Sequence, residues 1–471
     1  MYSLIFLILT SLFLALALTP LCKRLAWRLR IVDLPDAQRK LHGGPVPRLG
    51  GLAILASILG AYGLLLLARF SSGAIIWQDL PLVLRILPSM LVVFAVGLAD
   101  DIHSLRPWVK FGIEAAAAAL AWFGGIHVSG IEGHTLPVAL GFLVTIVWIV
   151  SCTNAINLID GLDGLAAGVS LFAAITMLMA ALIEHNYPMA LVTVPLVGAL
   201  LGFLRYNFHP ATIFLGDSGS LSLGFILACC AAVWSEKAMT TLGLSAPLIA
   251  LAVPLLDTVL AVIRRFINNE RIFGADRAHI HHKLLSQGLP APYVALVIYA
   301  ACAFATISSL LLASKQNRYH SAVVISVCLA GWFGLHRLGY KEFGVVRRAV
   351  LNGTFRNVLS AQLAVDTFES AMQREMTLEG CAEILCEIYP RFGFSGLALE
   401  LDGVLQTRGA GSSWQAHIEF PGHGHITFLR AANAQRQNIA TAQFIDCVSR
   451  LIDQKLEQVA STTPRTGTSD F

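Results

Sequence analysis

Residues 4–22 read LIFLILTSLFLALALTPLC, and Lys23, Arg24, Arg28, Arg30, Arg39, Lys40 and Arg48 follow. A bilayer core needs about 20 apolar residues in helical form, and this stretch supplies them. The basic residues come after the apolar run, whereas a cleavable export signal carries its charge before it. The segment therefore reads as an anchor with the N-terminus outside. Working outward, further apolar runs fall at about 50–69, 82–99, 110–125, 136–153, 164–183, 188–204, 219–234, 242–263, 292–313 and 320–336. The spacing predicts an all-α polytopic membrane protein of about eleven transmembrane helices. Several runs are short for a bilayer and imply tilt.

Composition points the same way. Of 471 residues, 56% are hydrophobic and 13% charged, with mean hydropathy +0.69. A soluble domain carries about twice that charge, which excludes a soluble enzyme, and disorder needs low hydrophobicity. A net charge of +4 is too small to suggest nucleic acid as partner. Residues 1–340 are net +6 and residues 341–471 net −2. The apolar runs also stop there, which sets a domain boundary near 340. The nine cysteines show no C-x-x-C spacing, so neither a disulfide framework nor a zinc site is expected. With eleven spans the C-terminus lies inside. Inside-facing segments then hold 19 Lys and Arg; outside loops hold Lys237, Lys315 and Arg318, or five with Arg69 and Arg85.

The polar motifs all fall on the inside face. They are Arg39-Lys40-Leu41-His42 through Arg48, Asp100-Asp101, the run from Asn154 to Gly164, Gly216-Asp217-Ser218-Gly219-Ser220, and Asp276 to Lys283 with His279, His281 and His282. Five motifs from distant positions on one face predict one composite site. Asn154, Asn157, Asp160 and Asp163 recur every three residues, a helical stripe of groups that are costly in a membrane and usually functional; helix caps and Asp-Gly turns are the alternative reading of the same residues. Asp217 sits between glycines before an apolar span, where free N–H groups and an acid suit phosphate and a bridging Mg²⁺. Asp100 and Asp101 cannot face one way on a helix, so one lines the site and the other binds a neighbour. The histidine run reads as a loop holding a diphosphate rather than as a zinc site. Asp257 is an intramembrane carboxylate and so a functional candidate without an assigned role.

In this order, the Asp-Asp pair, NAINLIDGLDG, GDSGS and HIHH resemble the polyprenyl-phosphate N-acetylhexosamine-1-phosphate transferase family. The motifs cover about residues 20–290 and the span pattern about 1–340. The resemblance implies transfer of a sugar 1-phosphate from a UDP-sugar to undecaprenyl phosphate, giving a polyprenyl diphosphosugar and UMP. It implies Mg²⁺, with Mn²⁺ as a substitute, held by Asn157 and Asp217. Asp100, Asp101 and Lys110 are expected to be catalytic. Lys40, His42, Asn154, Asp160, Asp163, Arg277, His279, His281 and His282 are expected to bind substrate. The histidine pattern resembles the branch using UDP-N-acetylglucosamine, which initiates surface glycans such as O-antigen, rather than the muramoyl-pentapeptide branch. The expected setting is the bacterial inner membrane, with site and C-terminal domain cytoplasmic, membrane lipid as a partner and a homodimer as one assembly. A transporter would show repeated halves, and a CDP-alcohol phosphatidyltransferase an Ala-Arg pair after its Asp-Gly; neither is present.

Residues 341–460 read as a cytoplasmic α+β domain faintly similar to GAF sensor domains. A helix is expected over 359–389, strands at 395–401, 413–420 and 424–430, and a helix over 436–458. Glu375, Glu379, Glu383 and Glu387 read as one solvated helix face, and 461–471 as a disordered tail.

Overall fold

The computed structural model describes residues 2–33, 44–68, 73–128, 130–131, 134–237, 245–267, 279–313, 320–338, 365–375, 377–392, 394–409, 414–430 and 441–462. The chain divides into two compact units, Met1–Gly339 and Tyr340–Phe471.

The first unit is helical. Its helices are α1 (Tyr2–Leu29), α2 (Gly50–Leu67), α3 (Gly73–His103), α4 (Pro107–Phe123), α5 (Val138–Ile159), α6 (Leu165–Ile183), α7 (Tyr187–Asn207), α8 (Gly216–Lys237), α9 (Ser245–Ala250), α10 (Ala252–Ile267), α11 (Ile280–Ser286), α12 (Ala291–Ala313) and α13 (His320–Arg337). Two short hairpins accompany them: β1 (Val32–Asp33) with β2 (Val46–Pro47), and β3 (Gly130–Ile131) with β4 (His134–Thr135). Among the described residues, eight helices are long and apolar enough to cross a membrane: α1–α3, α5–α8 and α12. The chain is thus a multi-pass membrane protein. The apolar runs expected at 110–125 and 320–336 form the shorter α4 and α13. The run at 242–263 is not one span: among the described residues it is broken at Leu251 into α9 and α10.

Why the bundle closes is legible residue by residue. On α1 the buried positions are Ser3, Leu7, Ser11, Ala15, Thr19, Cys22 and Ala26, a stripe of mostly small residues at three- and four-residue spacing. Small residues let helix backbones approach in lipid, where no hydrophobic force drives them together. That stripe packs on α7 and α2. The innermost helix is α8, packed against α2, α3, α5 and α6. Polar side chains are bonded across helices: Tyr62 Oη donates to Leu191 O (2.7 Å), and Trp148 Nε1 to Ala228 O (3.0 Å). In a bilayer an unmade bond of this kind is costly.

The second unit is a four-stranded antiparallel sheet with helices on one face. Residues 365–374 form α14, followed by α15 (Leu378–Ile388) and a 3₁₀ turn (Tyr389–Phe392). The strands are β5 (Gly396–Leu401), β6 (Val404–Arg408), β7 (Trp414–Phe420) and β8 (Gly424–Arg430), in spatial order β6-β5-β8-β7, and α16 (Thr441–Thr462) ends the unit. Strand alternation puts Leu397, Leu399, Leu401, Ile426 and Phe428 against Phe368, Leu385, Phe444 and Val448 of the helices. Three strands were expected and four are present. The extra strand β6 pairs with β5 through Asp402-Gly403, both at positive φ, a turn that closes hairpins tightly. The helix expected over 359–389 is also interrupted. Glu375 is not on a helical face; its Oε1 accepts from Thr377 N (3.2 Å) and Thr377 Oγ1 (2.9 Å), at the start of α15. The expected tail lies outside the described residues from 463 onward.

Candidate active site

The site forms at one end of the bundle, where α3 ends and α4, α8 and α11 begin. α3 closes with Asp100-Asp101, and Arg106 and Pro107 start α4 four residues later. Proline at the first helical position is pre-set for a helix start. The tight corner brings Lys110, in the first turn of α4, back over Asp100. Lys110 Nζ donates to Asp100 Oδ2 (3.1 Å) and also to Asp217 Oδ2. Asp100 Oδ1 accepts from Leu105 N, which fixes the corner.

Asp101 faces the other way, as two adjacent helical residues must. Its Oδ1 accepts from Asp217 N (2.8 Å) and its Oδ2 from Ser218 N (3.0 Å). Both oxygens are spent on the free N–H groups that begin α8, and a negative charge there also suits the helix dipole. Asp101 therefore holds Asp217 in place by its backbone, while Asp100 meets the lysine. Gly216 makes this possible: its φ is +74°, and a Cβ there would lie 2.7 Å from both Asp101 Oδ2 and Arg48 O.

The Asn154–Gly164 run is half helix, half turn. Asn154 and Asn157 lie on the last turns of α5. Asn157 Oδ1 accepts from Ser220 Oγ of α8 (3.0 Å). Asn154 Nδ2 donates to Glu114 Oε2 and to Val150 O (3.0 Å). Asp160 caps the C-terminus of α5 beside the other carboxylates. Burial first, then Asp217, pushes its carboxyl up to about 8; Asp101 and Asp163 add to this and Arg48 opposes it. Asp163 turns away to the segment after α7: His209 Nδ1 lies 2.8 Å from its Oδ2 and Ala211 N donates to the same oxygen (3.0 Å). The four-residue polar stripe thus does not act as one face. Tyr299 Oη of α12 donates to Gly164 O (2.6 Å) and pins the end of the turn.

The histidines are not on a loop throughout. His279 is the N-cap of α11, and His281 and His282 are on that helix. His281 is 1% exposed and rests on Gly161, whose missing Cβ would lie 2.7 Å from its Nε2. The rings of His279 and His281 are parallel with centroids 5.8 Å apart, and His282 is 4.3 Å from His281. Burial, and secondarily His282, lowers His281 to about 3. At neutral pH it is an uncharged ring, able to hydrogen-bond an anion but not to neutralise it.

The structure thus unites Asp100, Lys110 and Asp217 directly, and Asp101, Asn157, Asp160 and His281 through contacts around them. Lys40, His42 and Arg277 lie outside the described residues. One member was missed in the sequence: Glu114, 1% exposed, one helical turn beyond Lys110 and bonded to Asn154. An acid beside Ala115–Ala119 in an apolar run was the signal. Among the described residues no three His, Cys, Asp or Glu side chains form a ready metal cage. Mg²⁺ takes few protein oxygens and keeps water and phosphate. The Asp217 carboxylate and Asn157 amide are hard oxygen donors of that kind.

Sequence comparison places this geometry among known proteins. Residues 83–235 match the model of glycosyl transferase family 4. The chain is 36% identical over 309 residues to the probable undecaprenyl-phosphate N-acetylglucosaminyl 1-phosphate transferase of Bacillus subtilis, covering 64% of this chain and 83% of the relative. It is 36% identical over 304 residues to the decaprenyl-phosphate N-acetylglucosaminephosphotransferase of Mycobacterium tuberculosis, covering 59% and 74%. A phospho-N-acetylmuramoyl-pentapeptide-transferase of Rubrobacter xylanophilus is 32% identical over 248 residues, covering 47% and 74%. With motifs, helical bundle and sequence in agreement, the chain belongs to the polyprenyl-phosphate N-acetylhexosamine-1-phosphate transferases of glycosyl transferase family 4.

Proposed function

We propose that this protein transfers N-acetylglucosamine 1-phosphate from UDP-N-acetylglucosamine to undecaprenyl phosphate, releasing UMP and starting a cell-surface glycan. The observation that carries the reading is the Lys110 ammonium set between Asp100 and Asp217 in a site rich in acids. Two polyanionic substrates enter such a site only if positive charge meets them. The positive-inside count supports a cytoplasmic site in the inner membrane.

A phosphate monoester has its second pKa near 6, so the lipid phosphate is mostly a dianion and a competent nucleophile at neutral pH. Lys110 orients it and screens its charge as it approaches the donor phosphorus. In this reading Asp100, bonded to the same ammonium, takes the residual proton of the lipid phosphate. Asp101 does not meet substrate in this reading; it keeps the start of α8 where Asp217 is needed. His281 offers a neutral hydrogen bond beside the Asp160–Gly161 turn. Arg277, Lys40 and His42 are assigned to the anionic substrates by charge. Asp217 and Asn157 would hold Mg²⁺, or Mn²⁺ in its place, and the bound ion supplies charge neutralisation at the diphosphate.

The test uses purified protein in detergent with Mg²⁺, undecaprenyl phosphate and a panel of UDP-sugars that includes the UDP-muramoyl-pentapeptide. UMP formed only with lipid phosphate present, and fastest from UDP-N-acetylglucosamine, is expected. A preference for the muramoyl donor moves the protein to the other branch. No UMP from any donor by monodisperse protein overturns the reading.

A further inference from the structure

We propose that Asp257 is the positioning residue of the histidine segment, setting the tautomer of His279 and the seat of α11. The inference rests on the reading above, in which that segment meets the nucleotide sugar. Asp257 lies on α10, 2% exposed, in an apolar helix where a lone carboxylate is unfavourable. Both of its oxygens are used, and on consecutive residues of one distant segment. Oδ1 accepts from Ile280 N (2.8 Å), and Oδ2 lies 3.0 Å from His279 Nδ1. Ile280 is the first residue of α11, whose own N-cap, His279, makes no side-chain capping bond. The cap is supplied instead by Asp257, 23 residues earlier in the chain.

Two consequences follow from this pair of bonds. The carboxylate accepts only, so His279 Nδ1 must carry the proton, and Nε2 is the ring atom left to act elsewhere. Second, α11 is fixed at its first residue, and the next residue, His281, lies on Gly161. Neither ring nitrogen of His281 is hydrogen-bonded among the described residues, although the residue is buried. The position of this ring beside the Asp160 turn is set by its helix, and the Asp257 clamp fixes the start of that helix alongside the core packing of Ile280, Leu284 and Leu285.

The experiment compares full-length wild type, Asp257→Asn, His279→Gln and the double variant. The readouts are UMP release, with KM measured for each substrate, and calorimetric binding of UMP. The amide introduced by Asp257→Asn would keep an acceptor for Ile280 N but turn its NH₂ toward His279, favouring the wrong tautomer. Asp257→Asn should raise the UDP-sugar KM and weaken UMP binding about ten- to a hundredfold, as loss of a charge-assisted bond does. The KM for lipid phosphate should stay within about twofold. In the His279→Gln background the same substitution should change little, because both act through one contact. An unchanged donor KM, a loss spread equally over both substrates, or additive effects in the double variant would overturn the role. Should Asp257→Asn fail to fold, His279→Gln reads the contact from the other side by the same KM split. Wild type that releases no UMP from any donor defeats the transferase reading; active wild type beside an unaffected variant defeats the clamp alone.

Discussion

The two units bury opposite things. The core of the membrane unit encloses Glu114, Asp257, His279 and His281 along with its aliphatic side chains. Among the described residues of the C-terminal unit, the buried set is Phe, Leu, Ile, Val, Met, Ala, Cys and a tyrosine, with no acid, base or amide. Burying an ionisable group is unfavourable unless it is bonded, and even then it stabilises little. A chain that buries several at one end of a bundle holds a candidate site there. The C-terminal unit, by contrast, is arranged for cohesion. Substitutions should therefore fall on activity in one unit and on stability in the other.

That contrast can be broken at its strongest point with Lys110→Met. Removing the ammonium leaves Asp100 and Asp217 facing each other unscreened. UMP release should fall about a thousandfold, the scale of losing a main electrostatic group, while the thermal transition of the membrane unit moves little. Turnover within tenfold of wild type would remove Lys110 from the chemistry. The mirror experiment is Phe428→Ala in the C-terminal core, where Phe428 meets Phe394 and Phe444 with centroids 4.7 and 5.7 Å away. It should cost about 3–5 kcal/mol of that unit's stability, seen as rapid proteolysis within 365–462, with UMP release little altered. A parallel loss of turnover would show that the second unit controls the first.

Asp101→Asn sharpens the comparison between neighbours. An amide can still accept one N–H at the start of α8 but loses its charge there. The expected penalty is about 1–3 kcal/mol, typical of hydrogen bonds to a charged group, read as a lower thermal midpoint with a smaller activity loss than Lys110→Met. Equal activity losses for positions 100 and 101 would contradict the division of labour between them. The smallest expected effect is Thr377→Ala, which removes the hydroxyl that accepts from Gly380 N (3.1 Å) at the start of α15. About 1 kcal/mol should be lost, visible by denaturant titration of the C-terminal unit and silent in turnover.

Much of this was legible in the sequence because membrane physics leaves little choice. Apolar runs located the eight described helices long enough to cross a membrane, and the polar motifs named residues that the fold brings together at one end of the bundle. Asp-Gly and Gly-Asp signals marked real turns and a real helix start. What stayed hidden were partnerships across the chain. Nothing near Asp257 in sequence tells of Ile280, and nothing near Glu114 tells of Asn154. The three-residue spacing of Asn154 to Asp163 misled because α5 ends at Ile159, after which the spacing no longer maps to one face. The break at Leu251 was hidden for the same reason: hydropathy continues through it although the helix does not. In the second unit the hairpin turn at Asp402-Gly403 was present in the sequence, but β6 is short and mostly exposed, so its apolar pattern is weak.

The grip of Asp101 on α8 has a mechanical meaning. Two bonds to consecutive N–H groups pin the end of one helix to the end of another, so α8 can neither slide nor rotate independently of α3. The corner of the candidate site is then joined at two points. By contrast, α11 meets the Asp160 turn through His281 lying on Gly161, a contact of shape with no hydrogen bond in it. A joint of that kind parts without breaking bonds.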